Sequence, residues 1–165
     1  MQLRSLPWRL AACYALALPL LASPASATSP VAGALPAPID NAALVREAFE
    51  AWRTGRGSVF DLLDEDVEWT VAGHSPVSGT YRSRAAFMEQ AVAPITARLA
   101  TPIVPTVEHV VAQDDTVVVL WSGEATARDG QTYRNRYAWH LQLREGRIVR
   151  VVAFLDTWAL AELMR

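Results

Sequence analysis

Apolar and polar residues alternate along residues 133–144, and a mostly apolar segment follows at 147–155. Every second position of the first segment belongs to one set: Tyr133, Asn135, Tyr137, Trp139, Leu141 and Leu143. Because successive side chains of a strand point to opposite faces, this pattern predicts a strand with one large, mostly apolar face. Glu145-Gly146 connects it to a second predicted strand, which ends at Asp156. A carboxylate at that end, level with Asn135 and Tyr137, is the first candidate for a chemical site.

The preceding part of the chain has a helical pattern. Apolar residues recur at helical spacing after Asp40, a residue type that caps helices, at Leu44, Val45, Ala48, Phe49 and Trp52. Ser58 and Ser83 are predicted to begin two further helical segments. Pro94 is expected to interrupt the second of these, and Pro102 and Pro105 to end the helical region.

Strands dominate the remainder of the sequence. A short strand at 67–71 precedes the second helical segment, and strands at 107–113 and 116–127 come before the two already described. Asp114-Asp115 and Asp129-Gly130 are turn signals, and residues 157–164 form a closing helix. Helices segregated from strands predict an α+β fold, and strands this long must twist and curl. We therefore expect a curved antiparallel sheet wrapped around helices, forming a cone with an internal pocket.

The strand at 116–127 is apolar on both faces. Val117, Val119 and Trp121 share one face, whereas Val118 and Leu120 share the other. Because both faces of such a strand need cover, helices are expected on one side and a second subunit on the other. The pattern thus predicts a homodimer.

The N-terminal residues have the composition of a leader. Arg4 and Arg9 precede an apolar segment that runs from Leu10 to Ala22, and Ala25-Ser26-Ala27 follows. This order is typical of a bacterial signal peptide at 1–27, which predicts export to the periplasm or the medium. An uncleaved membrane anchor is the alternative, although about 13 apolar residues are few for a bilayer. After removal of the leader no stable membrane span is expected.

Composition indicates the domain bounds and excludes some classes of chemistry and partner. Residues 28–39, rich in Ala, Pro and Ser, are predicted to be a flexible tether, and residues 40–165 to be the domain. Cys13 lies in the leader, so the mature chain has no thiol chemistry or disulfide. It would carry thirteen arginines against seventeen acidic residues, a net charge of −4, which argues against nucleic acid as a partner.

Neither a metal nor another cofactor is predicted. The acidic residues between Asp61 and Glu68 suggest either a metal site or a solvated helix end, and they lack the spacing of a calcium loop. The three histidines, His74, His109 and His140, are scattered without zinc-ligand spacing.

Three stretches of the chain resemble a known family. They are W-T-V-A-G-H-S-P-V-S-G-T-Y-R-S-R-A-A-F at 69–87, G-Q-T-Y-R-N-R-Y-A-W-H-L-Q-L at 130–143 and G-R-I-V-R-V-V-A-F-L-D-T at 146–157. With the first helix they resemble the nuclear-transport-factor-2-like cone, in its SnoaL-like polyketide cyclase and ketosteroid-isomerase-related branch. The resemblance implies a conical pocket for a small apolar molecule. It leaves function open, because this fold hosts isomerases, cyclases, dehydratases, epoxide hydrolases and proteins without chemistry.

The resemblance also implies candidate catalytic residues. SnoaL-like cyclases use an aspartate near the end of the last strand as acid–base group, and Asp156 in F-L-D-T matches that position. The alternative is that Asp156 caps the following helix. Epoxide hydrolases of this fold pair Arg with Asp, and Asn135 in R-N-R departs from that pattern. His74, in a loop over the expected pocket mouth, is either an acid–base partner or an inert exposed histidine.

The remaining candidates would bind the ligand. Asn135 and Tyr137 could donate hydrogen bonds to a ligand carbonyl, or could satisfy each other and the backbone. An aromatic wall is expected from Phe49, Trp52, Trp69, Tyr81, Trp139 and Phe154, unless these residues are only core. The sequence therefore predicts an exported ligand-binding domain in which Asp156 catalyses proton transfer of the isomerase or cyclase type. The alternative is a non-catalytic ligand-binding or dimerisation domain.

Overall fold

The computed structural model describes residues 39–165, which form an α+β domain. The helical elements are α1 (Asn41–Arg53), a 3-10 turn (Val59–Leu62), α2 (Arg84–Phe87), a π-helical turn (Met88–Val92), α3 (Ala93–Arg98) and α4 (Thr157–Leu163). The strands are β1 (Leu63–Val71), β2 (Gly79–Tyr81), β3 (Val104–Gln113), β4 (Thr116–Thr126), β5 (Thr132–Arg144) and β6 (Arg147–Leu155). The predicted signal peptide at 1–27 and most of the predicted tether at 28–39 lie outside the described residues.

The six strands form one curved, open sheet in the order β2-β1-β6-β5-β4-β3. The last four strands pair in sequence as an antiparallel meander, as predicted. The pairing of β1 with β6 is parallel, with Trp69 beside Val151 and Val71 beside Ala153. The sequence pattern did not predict this pairing, because parallel neighbours are brought together by tertiary structure and not by a local turn.

The turns and caps follow from local sequence. Glu145 and Gly146 both have positive φ, 52° and 75°, as a two-residue hairpin between twisted strands requires. The side chain of Asp40 accepts a hydrogen bond from the backbone N–H of Ala43 at 2.9 Å and so caps α1. Ser58 and Asp61 form a reciprocal capping box around the 3-10 turn. These predicted boundaries are confirmed.

Two prolines behave differently from the prediction. Helical backbone continues through Pro94 to Arg98, because a π-helical turn precedes α3 and places Pro94 in its first turn. Proline is tolerated in the first turn of a helix. Pro105 does not simply end the helical region, since it lies inside β3. This strand is at the edge of the sheet, where a missing N–H is tolerated.

The core lies between the concave face of the sheet and the helices. Val45 and Phe49 of α1 pack there against inward side chains of β4, β5 and β6, all of which are buried. The convex face is apolar as well but uncovered: Val111 is 61% exposed, Phe154 54% and Leu120 38%. The predicted two-sided apolar character of β4 is therefore confirmed.

Two further findings concern residues 39–165 alone. No helix in this range is long and apolar enough to cross a membrane. No three side chains of His, Cys, Asp or Glu within it converge in a metal-binding group. Members of the acidic cluster have other partners, because Asp61 belongs to the capping box and Glu68 pairs with both Arg82 and Arg150.

Candidate functional site: an aromatic cavity

The concave face and the helices enclose a cavity of about 600 Å³. Its wall is mostly apolar, with aromatic members Trp52, Phe60, Trp69, Tyr81, Phe87, Trp121, Tyr133, Tyr137 and Trp139. This volume is in the range that holds a small organic molecule. Five of the predicted ligand-binding residues line the cavity, namely Trp52, Trp69, Tyr81, Tyr137 and Trp139.

Ring-to-ring packing fixes the shape of this wall. Trp121 and Tyr137 face each other across β4 and β5, with ring centroids 3.9 Å apart and planes 9° from parallel. Trp139 stands edge-on between Trp69 and Trp121, at 4.9 and 4.8 Å. Gly123 permits the stack, since a Cβ there would lie 2.8 Å from Ile103 and 3.0 Å from the Trp121 ring. Such interlocked rings form a stiff surface.

Two predicted aromatic residues lie elsewhere. Phe49 is buried behind the wall, in contact with Trp52, Trp121 and Trp139, and belongs to the core. The prediction that Phe154 lines the pocket is wrong. This residue pairs with Ala138 on the convex face, and its neighbours in β6, Ala153 and Leu155, line the cavity instead. The alternation of the strand explains the difference.

Asn135 is a buried hydrogen-bonding centre behind the cavity wall. Its Oδ1 accepts from the backbone N–H of Asp156 at 3.0 Å, and its Nδ2 donates to the Asp156 carbonyl at 2.9 Å. Nδ2 also donates to the Tyr133 hydroxyl at 3.0 Å. The two backbone partners fix which amide atom is oxygen, because one can only donate and the other can only accept. Asn135 therefore satisfies the backbone and another side chain, as one of its two readings predicted.

The hydrogen bonds continue from Asn135 into the cavity. The hydroxyls of Tyr133 and Tyr137 are 3.1 Å apart and share one hydrogen bond. A hydroxyl oxygen can accept two hydrogen bonds, so either tyrosine can be the donor of their shared bond even though Tyr133 also accepts from Asn135. The Tyr137 hydroxyl has no other partner among residues 39–165, so when Tyr133 donates in their shared bond, the Tyr137 proton can be donated to a bound molecule.

Both tyrosines are held in their neutral form. Burial raises the pKa of Tyr133, and the nearby Asp156 carboxylate contributes in the same direction. Burial also raises the pKa of Tyr137, assisted by its Tyr133 neighbour. A tyrosine with a raised pKa is a hydrogen-bond donor at neutral pH and not a base. The pair can therefore polarise a ligand oxygen but cannot take its proton.

The candidate acid–base residues do not line the cavity. The Asp156 side chain is exposed and accepts hydrogen bonds from the backbone N–H groups of Trp158 and Ala159, at 3.0 and 3.1 Å. It thus caps α4, as the alternative interpretation held. His74 is exposed in the loop between β1 and β2. Within the part of the chain that the structure describes, no Asp, Glu or His contributes to the wall, and its one charged residue is Arg128.

Several cavity residues were not predicted from the sequence. The alternation of the strands could have identified Tyr133 and Trp121. Tyr133 lies on the same face of β5 as Tyr137 and Trp139, and Trp121 of β4 continues that face. Leu99, Ile103, Leu160 and Met164 had none that distinguishes them from ordinary core residues. Their presence in the wall depends on where α3 and α4 pack against the sheet.

Comparisons with known proteins agree with this architecture. A family model described as SnoaL-like domain matches residues 45–151. An NTF2-like protein from Burkholderia thailandensis is 21% identical with a TM-score of 0.61, covering 76% of this chain and 97% of its own. Bal32a, from a soil-derived mobile gene cassette, is 23% identical with a TM-score of 0.63, covering 76% and 96%.

TerC, co-crystallised with polyporic acid, is 23% identical with a TM-score of 0.61, covering 75% of this chain and 97% of its own. No curated protein sequence matches the chain. At these identities the structures establish a shared fold, whereas the family model spans more than half of the chain. The protein belongs to the SnoaL-like domain family and has the nuclear-transport-factor-2-like (NTF2-like) fold.

Proposed function

We propose that the protein binds a small, largely apolar molecule in the aromatic cavity, with the Tyr137 hydroxyl donating to an oxygen of that molecule. The observation that carries the proposal is a cavity of about 600 Å³ whose wall includes the Tyr137 hydroxyl, the last member of a hydrogen-bond chain. Apolar walls with a few directed polar groups are characteristic of ligand sites. The co-crystallisation of TerC with polyporic acid supports small-molecule binding by this fold.

Proton transfer of the isomerase or cyclase type is the second candidate. The observation that favours it is the path from the Asp156 backbone through Asn135 and Tyr133 to Tyr137, which would stabilise negative charge on a ligand oxygen. Against it, the Asp156 carboxylate is exposed and engaged as a cap, and His74 lies outside the cavity wall. Because a general base must reach the proton that it removes, binding has the stronger support.

A neutral apolar probe tests the binding proposal. Phenylnaphthylamine should quench tryptophan fluorescence, since Trp52, Trp69, Trp121 and Trp139 line the cavity. Ala91, on the cavity wall, offers a way to fill the space. We expect Ala91→Phe to weaken probe binding about tenfold or more, which corresponds to about 1.4 kcal/mol.

The matched control is Ala85→Phe, because Ala85 is exposed on the same helical region and does not line the cavity. This variant should bind the probe like the unmodified protein. Equal binding by all three proteins would place the probe outside the cavity and refute the proposal. Circular dichroism spectra of the three proteins verify that each is folded.

We also propose that the protein is exported and acts as a homodimer. Export rests on the leader at 1–27, and the dimer on the exposed apolar convex face. Charges of both signs flank this face, in the pairs Arg134–Glu124 and Arg136–Glu108. Since a two-fold interface brings a surface against itself, mixed charges at its rim can be self-complementary.

A further inference from the structure

Arg128 differs in kind from every other residue of the cavity wall. The other polar members are neutral: Ser58, Gln90, Thr96, Thr101 and the three tyrosines. Arg128 is therefore the one fixed charge that a ligand would meet among the described lining residues. The wall offers a cation and no carboxylate to balance it.

The position of Arg128 is at the exposed end of the cavity. It lies two residues after the end of β4, a strand whose Trp121, Gly123 and Ala125 are buried. The stacked pair Trp121 and Tyr137 lies further along the sheet, away from Arg128. The arginine side chain is exposed, as expected for a group at the mouth of the cavity.

Local hydrogen bonds hold Arg128 in place without using its charge. Its Nε donates to the carbonyl of Ala97 at 2.7 Å, and its backbone N–H donates to the carbonyl of Arg98 at 2.9 Å. Its terminal nitrogens have no hydrogen bond or ion pair with residues 39–165. By contrast, Arg134 and Arg136 on the following strand are paired with Glu124 and Glu108. The free edge of the Arg128 guanidinium is thus available to a ligand.

We infer that the cavity is suited to an apolar organic anion, whose acid group lies at the mouth against Arg128 while its apolar body contacts the aromatic wall. A planar guanidinium binds a carboxylate or sulfonate through charge-assisted, often paired hydrogen bonds. An acid group at the mouth remains partly hydrated, so the cost of desolvating it is small. This inference rests on the proposed ligand-binding function and adds the charge of the ligand to it.

Two probes with the same ring system separate charge from apolar binding. Phenylnaphthylamine is neutral, and anilinonaphthalene sulfonate carries one added sulfonate. Removing the charge with Arg128→Gln should weaken binding of the sulfonate about threefold to tenfold, the scale of a partly exposed charge pair. The affinity for phenylnaphthylamine should change less than about twofold, because this probe carries no charge that could pair with Arg128.

Two further variants complete the comparison. Arg128→Lys should restore part of the lost sulfonate affinity, because it retains the positive charge without the planar fork. Arg56→Gln is the matched control, since Arg56 is an exposed arginine outside the cavity whose Nε also makes a single hydrogen bond, to Thr54. It should bind both probes like the unmodified protein.

The possible results separate this inference from the proposed function. If Arg128→Gln weakens both probes equally, Arg128 only maintains the shape of the mouth and the inference is wrong. Equal sulfonate affinity in Arg128→Gln and the unmodified protein would also overturn it. In both of these outcomes, binding of phenylnaphthylamine in the cavity of the unmodified protein would still support the proposed function. If neither probe binds to the unmodified protein, both are refuted.

Discussion

Asn135 positions other groups around the cavity through its side-chain hydrogen bonds, a role that its sequence context does not indicate. The residue is 4% exposed, and the hydrogen bonds of its side-chain amide hold Asp156, just after β6, to the first part of β5 and also contact the Tyr133 hydroxyl. Replacing one partner of a buried hydrogen bond leaves the other unsatisfied, which is costly. A single amide therefore connects the start of α4 to the hydroxyl of Tyr133 and, through it, to Tyr137 in the cavity wall.

Asp156 provides a test that separates capping from catalysis. Asp156→Ala should lower the free energy of unfolding by about 1 kcal/mol, whereas Asp156→Asn should change it by only a few tenths of that, since Asn caps helices about as well as Asp. Urea denaturation followed by circular dichroism measures both. If Asn is as destabilising as Ala, the cap is not what Asp156 contributes.

The same two variants test the catalytic candidate. If Asp156 is the acid–base group, turnover of a ketone substrate should fall about 10²–10⁴-fold in Asp156→Asn while stability is retained. Unchanged turnover would remove Asp156 from the mechanism and leave the binding function standing.

At the scale of elements, β5 was the most predictable part of the molecule. Its alternation, the hairpin at Glu145-Gly146 and the cap positions Asp40, Ser58 and Ser83 follow from neighbouring residues and are confirmed. The parallel β1–β6 pairing and the helical path through Pro94 depend on long-range packing, which local patterns do not encode. The sequence predicted that Asp156 lies at the end of β6, but not that its side chain points away from the cavity, because that orientation also depends on long-range packing.

The tyrosine pair on β5 predicts an alkaline limit to stability. Both pKa values are raised in the folded protein, so the folded state binds more protons than the unfolded state above the ordinary tyrosine pKa of about 10. Their contribution is fully present below that pH and is lost as the pH rises above it. The free energy of unfolding should therefore decrease above about pH 10.

The background for this experiment is low, because all fifteen basic residues are arginine and no lysine titrates in the same range. Tyr137→Phe should flatten the decrease, and Tyr81→Phe, outside the hydrogen-bonded pair, serves as its control. Denaturation midpoints measured at closely spaced pH values provide the comparison. An equally steep decrease in Tyr137→Phe would mean that this tyrosine does not cause the alkaline loss.

At the scale of the whole molecule, one measurement tests both the dimer proposed from the uncovered convex face and the cleavage of the predicted leader. Native mass spectrometry of protein secreted by its host should give twice the mass of residues 28–165. A standard interface of about 1,600 Å² would account for the dimer. Leu120→Arg should yield monomers, because it places a charge in the apolar centre of the face.

Gln131→Arg, in an exposed turn, is the control and should remain dimeric. The two proposals can fail separately. A monomeric mass for the unmodified protein at micromolar concentration would exclude the dimer, and a mass that still includes residues 1–27 would exclude cleavage of the leader.

The packing of the aromatic wall has an optical consequence. Four indoles, those of Trp52, Trp69, Trp121 and Trp139, lie in one connected group with ring centroids 4.8 to 6.4 Å apart. At such separations electronic excitation passes between rings much faster than it is emitted, so the group emits as one chromophore. One occupant of the cavity would then quench the emission of four tryptophans together, whereas Trp158 lies on α4 and is 70% exposed. The intensity of tryptophan emission would therefore report the occupancy of the cavity.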